Sequence, residues 1–361
     1  MADKIIVGPL PPAIGGIATI METLRKKYIN DADVYFVDTN KEGSFNNKIF
    51  HSIRLLLLIV IKGLRSKGGA ILMFSSAYGS FWEKSVWCIV SKLLGLRTIV
   101  QMVDGNFPRF YEGMSRPYKT LASICVKSID VLAVQSTEWS NYYKTILPNT
   151  HIMVISPGVD TDFFCPPVNP AINNPLQILY IGWLIEDKGI YDLILAAKLM
   201  NDNGNLFRMR LVGPDFGEKR TIISLIEKFK LENKVFVDDP ILSRDGIRKA
   251  YQEADIFVFP SHFEGFPYAL MEAIAVGLPC VGTKVGGIPD ILDNNRSGII
   301  IDKNSPEQLS QSLSKLLADD EYRLLMGKRA REWAVHEYSL QKSFEDFNKV
   351  LNMNRIDNII P

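Results

Sequence analysis

The stretch Asp255–Thr283 reads DIFVFPSHFEGFPYALMEAIAVGLPCVGT. Its opening run IFVF combines β-branched and aromatic residues, which predicts a buried strand of a parallel sheet. Pro267 suits the first turn of a helix, and Gly277 followed by a proline is a stop signal, so we expect a helix over 267–276. A second apolar run at 279–283 follows at once. The stretch therefore predicts a strand, a loop, a helix and a second strand in succession.

Short apolar runs alternate with longer periodic segments along the rest of the chain as well. Strands are expected at 4–7, 33–37, 70–74, 98–102, 131–134, 177–181, 207–212, 234–237, 255–259, 279–283 and 298–301. Helices are expected at 16–27, 47–67, 81–94, 116–128, 189–201, 217–230, 243–253, 267–276, 305–318 and 340–353. Alternation of this kind predicts an α/β protein whose parallel sheets are covered by helices on both faces.

The chain is long enough for two domains. Its 361 residues correspond to two domains of about 150 to 200 residues each. Residues 157–175 hold five of the 19 prolines and show no periodic pattern, which is typical of a linker. We therefore expect an N-terminal Rossmann-like domain over 1–160, a C-terminal Rossmann-like domain over 161–339 and a last helical segment over 340–361.

Composition argues against several classes of function. A formal net charge of +1 shows no global bias towards nucleic acid, so no nucleic-acid partner is expected. The four cysteines form no Cys-x-x-Cys pair and the four histidines are scattered without ligand spacing, so we expect neither a disulfide framework nor a metal site. The N-terminal residues lack the long apolar core of a signal peptide, and the expected location is the cytoplasm.

Two carboxylates in the stretch Asp255–Thr283 indicate a site for a sugar nucleotide. Glu264 follows the first strand, at the end where open parallel sheets bind ligands, and Glu272 lies on the helix. The N–H groups of Phe266, Tyr268 and Ala269 at the start of that helix favour an anion such as phosphate. Carboxylates accept strong hydrogen bonds from neutral hydroxyls. A chance pair is the alternative, because the chain contains 40 Asp and Glu residues.

The residues around the two carboxylates carry a family resemblance. Ser261–Gly282 is similar to the signature region of the retaining family 4 glycosyltransferases, in which two glutamates separated by seven residues bracket a Gly-Phe-Pro or Gly-Phe-Gly loop. Four further segments resemble motifs of the same family in the same order: Pro11–Ala18, Ser156–Asp160, Gly182–Gly189 and Gly286–Asp290. The resemblance runs through both expected domains and is strongest after Ser156.

The resemblance implies a fold and an activity. The fold is GT-B, two facing Rossmann-like domains with a cleft between them, and the last helix returns to the first domain. The activity is transfer of a sugar, with retention of anomeric configuration, from a nucleoside-diphosphate sugar to a hydroxyl of a glycan or lipid-linked acceptor. No cofactor and no metal ion are implied beyond this nucleotide-sugar donor. The implied setting is the biosynthesis of a glycan, polysaccharide or glycolipid.

The resemblance also implies roles for single residues of the second domain. Lys188 would neutralise the donor diphosphate, which is also the leaving group. Glu264, in the loop with Gly265, would contact and orient the donor sugar, and Glu272 would bind the ribose hydroxyls. A solvated lysine and an exposed helix carboxylate are the alternatives for Lys188 and Glu272.

Four glycines complete the expected site. Gly286 and Gly287 would let backbone amides approach the diphosphate, because a side chain would obstruct them. An ordinary turn is the alternative for this pair. Gly15 and Gly16 would open the first helix of the N-terminal domain towards the ligand.

Two positions depart from the family pattern. Trp183 stands where the family usually has an arginine, so one phosphate cation is missing or is supplied from elsewhere. The segment Gln101–Phe107 has no histidine where many members carry one, and Asp104 or Asn106 would take over a hydroxyl contact. These departures leave two alternatives open: a non-catalytic sugar-nucleotide-binding partner subunit, and another enzyme of the same architecture such as an epimerase.

Residues 48–67 contain the unbroken apolar run Leu55–Ile61, flanked by basic residues. The run is too short to span a bilayer, which takes about 20 apolar residues. A helix of this kind either packs inside a domain with its basic ends reaching solvent, or lies at an anionic membrane surface. The second interpretation predicts a peripheral contact with the inner face of the membrane through 48–67, and a lipid-linked acceptor.

Overall fold

A computed structural model of the chain describes residues 3–11, 16–40, 45–66, 68–103, 105–168, 173–293 and 296–353. The chain forms two compact units. Unit 1 comprises Met1–Gly158 together with Leu340–Pro361, and unit 2 comprises Val159–Ser339. From Val159 onwards the expected linker belongs to unit 2, and Phe164 is buried in the unit 2 core.

Unit 1 is built on a parallel sheet of six strands in the order β2-β1-β3-β4-β5-β6. The strands are β1 (Lys4–Gly8), β2 (Val34–Asp38), β3 (Ala70–Ser75), β4 (Arg97–Met102), β5 (Val131–Val134) and β6 (His151–Val154). The helices that connect them are α1 (Gly16–Lys27), α2 (Phe45–Arg65), α3 (Gly79–Leu93), α4 (Phe107–Glu112), α5 (Arg116–Val126) and α6 (Thr137–Ile146).

Unit 2 has a second parallel sheet of six strands, in the order β12-β11-β10-β7-β8-β9. The strands are β7 (Gln177–Ile181), β8 (Arg208–Val212), β9 (Val235–Asp238), β10 (Ile256–Phe259), β11 (Cys280–Thr283) and β12 (Gly298–Ile301). A 3-10 turn, Glu186–Lys188, precedes the helices α7 (Ile190–Asp202), α8 (Lys219–Lys228), α9 (Arg244–Gln252), α10 (Tyr268–Val276), α11 (Ile288–Ile291), α12 (Pro306–Ala318) and α13 (Asp320–Glu337).

The last described helix, α14 (Leu340–Asn352), packs on unit 1. The ring of Phe344 lies 5.2 Å from that of Tyr28 on α1, and the Tyr28 hydroxyl donates to Asn348 Oδ1 at 2.8 Å. Helices α1 and α14 cover one face of the unit 1 sheet, and α2, α3, α5 and α6 cover the other. Both faces are therefore buried, as an all-parallel sheet requires.

The α/β class with two Rossmann-like sheets is confirmed, and all the strands expected from sequence form within a residue or two of their expected bounds. The described elements that were not expected include β6, α4, α6 and α13. Strand β6 is only partly buried, so it lacks the apolar signal of a central strand. Helix α13 is charged on most sides and buries only a narrow stripe of small or flexible residues, which hides its period.

Two local expectations also change. Pro267 is the N-cap of α10 and not part of its first turn, because its ψ of 115° is extended and the helix begins at Tyr268. The helix expected at 47–67 begins earlier and ends at Arg65. Within the described residues, no helix is both long and apolar enough to cross a membrane.

Candidate active site

The order of the unit 2 sheet marks one place as the expected ligand site. Strands β7 and β10 are neighbours, but the chain runs outwards from β7 to β8 on one side and from β10 to β11 on the other. The loops that follow β7 and β10 therefore diverge and leave a crevice at the carboxyl ends of these strands. Open α/β sheets bind ligands at such a switch point.

Lys188 and Glu264 meet at this switch point. Lys188 ends the 3-10 turn after β7, and Glu264 lies in the loop after β10. The Lys188 ammonium Nζ forms an ion pair and hydrogen bond with Glu264 Oε1, and the two side chains are 21% and 10% exposed. The alternative of a merely solvated lysine is therefore wrong. Burial reduces solvent screening, so this pair is electrostatically stronger than a pair on the open surface.

The two loops are held together by backbone contacts. Gly189 has φ +70°, and a Cβ there would lie 2.0 Å from the Pro260 carbonyl oxygen, so only glycine allows this approach. The His262 N–H donates to the Asp187 carbonyl at 2.9 Å. The His262 ring also contacts Asp192 on α7, with Nε2 and Oδ2 2.7 Å apart. These contacts fix Lys188 relative to Glu264.

A glycine turn after β11 packs directly on the loop that carries Glu264. Cβ atoms at Gly286 and Gly287 would lie 2.3 Å from the Glu264 carbonyl oxygen and 2.3 Å from the Phe266 ring, respectively. The Gly287 N–H donates to the Gly265 carbonyl at 2.9 Å. In this structure the glycines thus allow close packing between two loops, and the Gly287 amide is directed at protein rather than at open space.

Phe266 and Tyr268 lie on either side of the α10 N-cap. The Phe266 ring is buried and packs on Tyr338, with ring centroids 5.7 Å apart, so its side chain is part of the unit 2 core. Tyr268 is the first residue of α10, and burial, with a smaller contribution from Glu272, raises the pKa of its hydroxyl. Only their backbone groups are thus suited to the anion contact expected from sequence.

Glu272 belongs to a second cluster, between α10 and α9. The Tyr251 hydroxyl lies 3.1 Å from Glu272 Oε2 and 2.9 Å from the Ala269 carbonyl oxygen. Burial raises the pKa of Glu272 to about 7, and the Tyr251 hydrogen bond and the charge of Arg244 oppose this shift. The alternative of an exposed helix carboxylate is therefore wrong for Glu272. A carboxyl that titrates near neutrality is typical of functional sites.

Trp183 forms an exposed aromatic pair beside the switch point. Its ring centroid lies 5.0 Å from that of Phe216, and both side chains are exposed. The loops that carry them are tied by a bridge between Leu184 and Asp215. The Trp183 carbonyl also accepts a hydrogen bond from the buried Tyr180 hydroxyl at 2.7 Å. This position thus offers an aromatic surface on a fixed backbone.

The sequence did not indicate the partners of these residues. Tyr251, Asp192 and Phe216 are all distant in the chain from the motifs they support. No local pattern in the sequence marks these residues, because their contacts with the site depend on the order of the strands in the sheet.

The sequence also indicated site residues in unit 1, and not all of them lie within the described residues. Gly16 begins α1, the first helix after β1. Gly15 and Asp104, which the sequence analysis singled out, lie outside the described residues. In the parts of the chain that are described, no cluster of three or more His, Cys, Asp or Glu side chains is arranged to hold a metal ion.

Known glycosyltransferases are similar to this chain in sequence and in fold. Residues 166–333 match the family model described as glycosyl transferases group 1, which lies within unit 2. WcaL of Escherichia coli (strain K12), named as a colanic acid biosynthesis glycosyltransferase, is 35% identical over 202 residues, which is 54% of this chain and 49% of WcaL. The chain thus spans about half the length of the curated relatives it matches.

Solved structures resemble the chain over nearly its whole length. HepE from Anabaena in complex with UDP has a TM-score of 0.77 at 16% identity, covering 97% of this chain and 99% of HepE. The complex of HepE with UDP-glucose has a TM-score of 0.72 at 16% identity, covering 96% and 99%. These likenesses show the fold, which is the GT-B fold of glycosyltransferases.

Proposed function

We propose that the chain is a retaining glycosyltransferase of family 4 that moves a hexose from a nucleoside-diphosphate sugar to an acceptor hydroxyl. The observation that carries this proposal is the Lys188–Glu264 pair at the unit 2 switch point. A cation and a carboxylate side by side suit a ligand that has a diphosphate next to a hydroxyl-rich sugar. The similarity to WcaL and to the HepE complexes supports the same conclusion.

We propose separate tasks for the two charged groups of the pair. The Lys188 ammonium binds the diphosphate and stabilises the negative charge that develops as it departs. The Glu264 carboxylate accepts hydrogen bonds from the donor sugar and orients its reacting carbon. The two groups already lie side by side before the donor binds. Donor binding replaces their ion pair by a contact of Lys188 with the diphosphate and of Glu264 with the sugar.

The proposed reaction takes place on one face of the sugar. The bond between the anomeric carbon and the diphosphate oxygen breaks, and a bond from the same carbon to the acceptor oxygen forms. The acceptor proton passes to the departing phosphate oxygen. No metal ion is required in this scheme, since Lys188 supplies the positive charge.

Glu272 is proposed to bind the ribose hydroxyls of the donor nucleotide. It lies on α10, whose first turn follows the Glu264 loop. Tyr251 holds the carboxyl in one orientation by its hydrogen bond to Oε2. The other carboxyl oxygen is then available to a hydroxyl.

The setting proposed for this reaction is the biosynthesis of a polysaccharide or another glycan, on the cytoplasmic side of a membrane. All four cysteines are free thiols, which suits a reducing compartment. The proposed acceptor is a glycan or a lipid-linked glycan.

Donor turnover on a panel of nucleotide sugars, with and without glycan acceptors, tests the proposal. We expect release of the nucleoside diphosphate from one donor class, faster with an acceptor, and proton NMR of the product should show the donor's anomeric configuration. Binding without turnover would instead indicate a non-catalytic subunit. Isomerisation of the donor without an acceptor would indicate an epimerase. The Glu264→Gln variant is the control for contaminating activity.

A further inference from the structure

Helix α2 has two apolar faces. Its inner face buries Leu55 and Ile59 against the unit 1 sheet. Its outer face carries an exposed stripe at helical spacing that includes Phe50, Leu57 and Ile61, and the Phe50 side chain is 73% exposed. A surface helix of a globular domain normally presents polar residues on its outer face. This outer face therefore indicates a contact with an apolar surface.

The exposed stripe of α2 continues onto the helices beside it. Helix α3 packs between α2 and α5, and all three cover the same face of the sheet. Val86, Ile89 and Leu93 on α3 are exposed at helical spacing, and Leu93 is 83% exposed. Leu121 and Ile124 on α5 are exposed as well. Exposed apolar residues thus spread across three adjacent helices, which is far more than isolated surface residues.

The charge of this three-helix surface has one sign. Among the residues of α2, α3 and α5, Glu83 is the only acidic one, and its carboxylate is ion-paired with Lys84. Basic residues are frequent on the same helices, and Arg54, Arg65 and Arg116 are exposed. The three helices thus combine exposed apolar side chains and basic residues with a single, ion-paired carboxylate. This combination matches an anionic lipid surface, whose headgroups attract Lys and Arg while the acyl boundary accepts apolar side chains.

We propose that the outer surface of α2, α3 and α5 docks unit 1 onto an anionic phospholipid membrane. The apolar stripe enters the boundary between headgroups and acyl chains, and Arg54 and Arg65 contact the phosphates. The docking involves three helices and not only residues 48–67. It does not depend on the proposed activity, because it requires neither donor nor acceptor.

Flotation of the full chain with vesicles tests this proposal. We expect the protein to float with vesicles of equimolar phosphatidylglycerol and phosphatidylcholine. With vesicles of phosphatidylcholine alone, the protein should remain unbound in the bottom fraction. The Leu57→Gln/Ile61→Gln variant should lose at least about tenfold in partitioning. Both positions are exposed, so its melting temperature should match that of the wild type. Leu206→Gln/Leu324→Gln changes two apolar residues of unit 2 that are more exposed than Leu57 and Ile61, and this variant should bind like the wild type.

A charge variant separates the electrostatic part of docking. Arg54→Gln/Arg65→Gln should reduce partitioning about 30-fold, and more at low than at high salt. Lys228→Gln/Lys303→Gln removes two exposed unit 2 lysines and should have no such effect.

Sedimentation velocity of the wild type and the variants measures whether the same surface instead binds a second copy of the chain. A wild-type dimer that Leu57→Gln/Ile61→Gln abolishes, without vesicle binding, would assign the surface to a second copy of the chain and overturn the proposal. Wild-type protein that neither floats with the anionic vesicles nor dimerises would overturn it too.

Discussion

The two sheets have the same number of strands but different switch points, and the chemistry at each differs. In unit 1 the chain reverses between β1 and β3, and the described residues that follow these strands are 9–11 and 76–78, which carry no charged side chain. In unit 2 it reverses between β7 and β10, where Lys188 and Glu264 form an ion pair. Under the proposed function, the ion pair of unit 2 suits the donor diphosphate. The unit 1 loops, where the Asp38 carboxylate accepts from the Leu10 N–H at 2.9 Å, suit a neutral acceptor.

The largest expected effect comes from removing the carboxylate at the unit 2 switch point. Glu264→Gln should lower kcat by roughly 10²- to 10³-fold, because it removes a group aligned with the reacting sugar. Nucleoside diphosphate affinity should be unchanged or higher, since Lys188 loses its competing partner. Steady-state kinetics and calorimetry measure the two quantities. Glu232→Gln changes an exposed carboxylate as the control, and an unaltered kcat in Glu264→Gln would refute its role.

Removing the positive charge of Lys188 should have a smaller effect, and mainly on binding of the nucleoside diphosphate. Lys188→Gln should weaken nucleoside diphosphate binding by roughly 10- to 100-fold, the range expected for hydrogen bonds to a charged group. Isothermal titration measures the affinity. Lys198→Gln on α7 is the matched control, because Lys198 also pairs with a carboxylate but lies on the surface. Equal affinities in both variants would contradict the diphosphate contact.

A pair of glycine substitutions compares the packing of the two switch points. Gly287→Ala should destabilise by about 1–3 kcal/mol, because its Cβ would clash with the buried Phe266 ring. Gly79→Ala, after β3 in unit 1, meets open space and should change stability by less than about 0.5 kcal/mol. Thermal melting of both variants gives the comparison. Equal melting temperatures would show that the glycine turn is not tightly packed.

The smallest effect concerns the pH dependence of stability. Glu272 has a pKa of about 7 in the folded protein against 4.5 as its ordinary value. The folded protein therefore binds this proton more tightly, so the contribution of Glu272 to stability is complete below about pH 4.5 and is lost as the pH rises through 7.

Glu272→Gln should remove this pH-dependent loss of stability. Between pH 5 and pH 8, the free energy of unfolding of the variant should rise by on the order of 1 kcal/mol relative to that of the wild type. Urea unfolding at several pH values measures the difference. The exposed Glu321→Gln serves as the control, and a difference that does not change with pH would rule out the raised pKa.

Much of the fold could be predicted because apolar runs and helix stop signals are local. The run at 256–259 and the stop at Gly277 have a clear meaning in the sequence alone. Residues such as those of β6 or α13 lack that pattern, because they are half-exposed or mostly charged. The position of Lys188 and Glu264 at strand ends was also predictable.

Their pairing could not be predicted, because it depends on β7 lying next to β10. Strand order is a property of the whole sheet and leaves no local pattern. The same is true of Tyr251 beside Glu272 and of Phe216 beside Trp183. The glycines at 286 and 287 were recognised as special, but their close contact with the Glu264 loop required the structure.

The structure of the protein with the nucleoside diphosphate that it binds most tightly tests the central claim most directly. The account predicts the diphosphate at the unit 2 switch point, with its terminal phosphate in contact with Lys188 Nζ and the Glu264 carboxylate directed at the position of the sugar. A diphosphate bound elsewhere, with the Lys188–Glu264 pair unchanged, would contradict it.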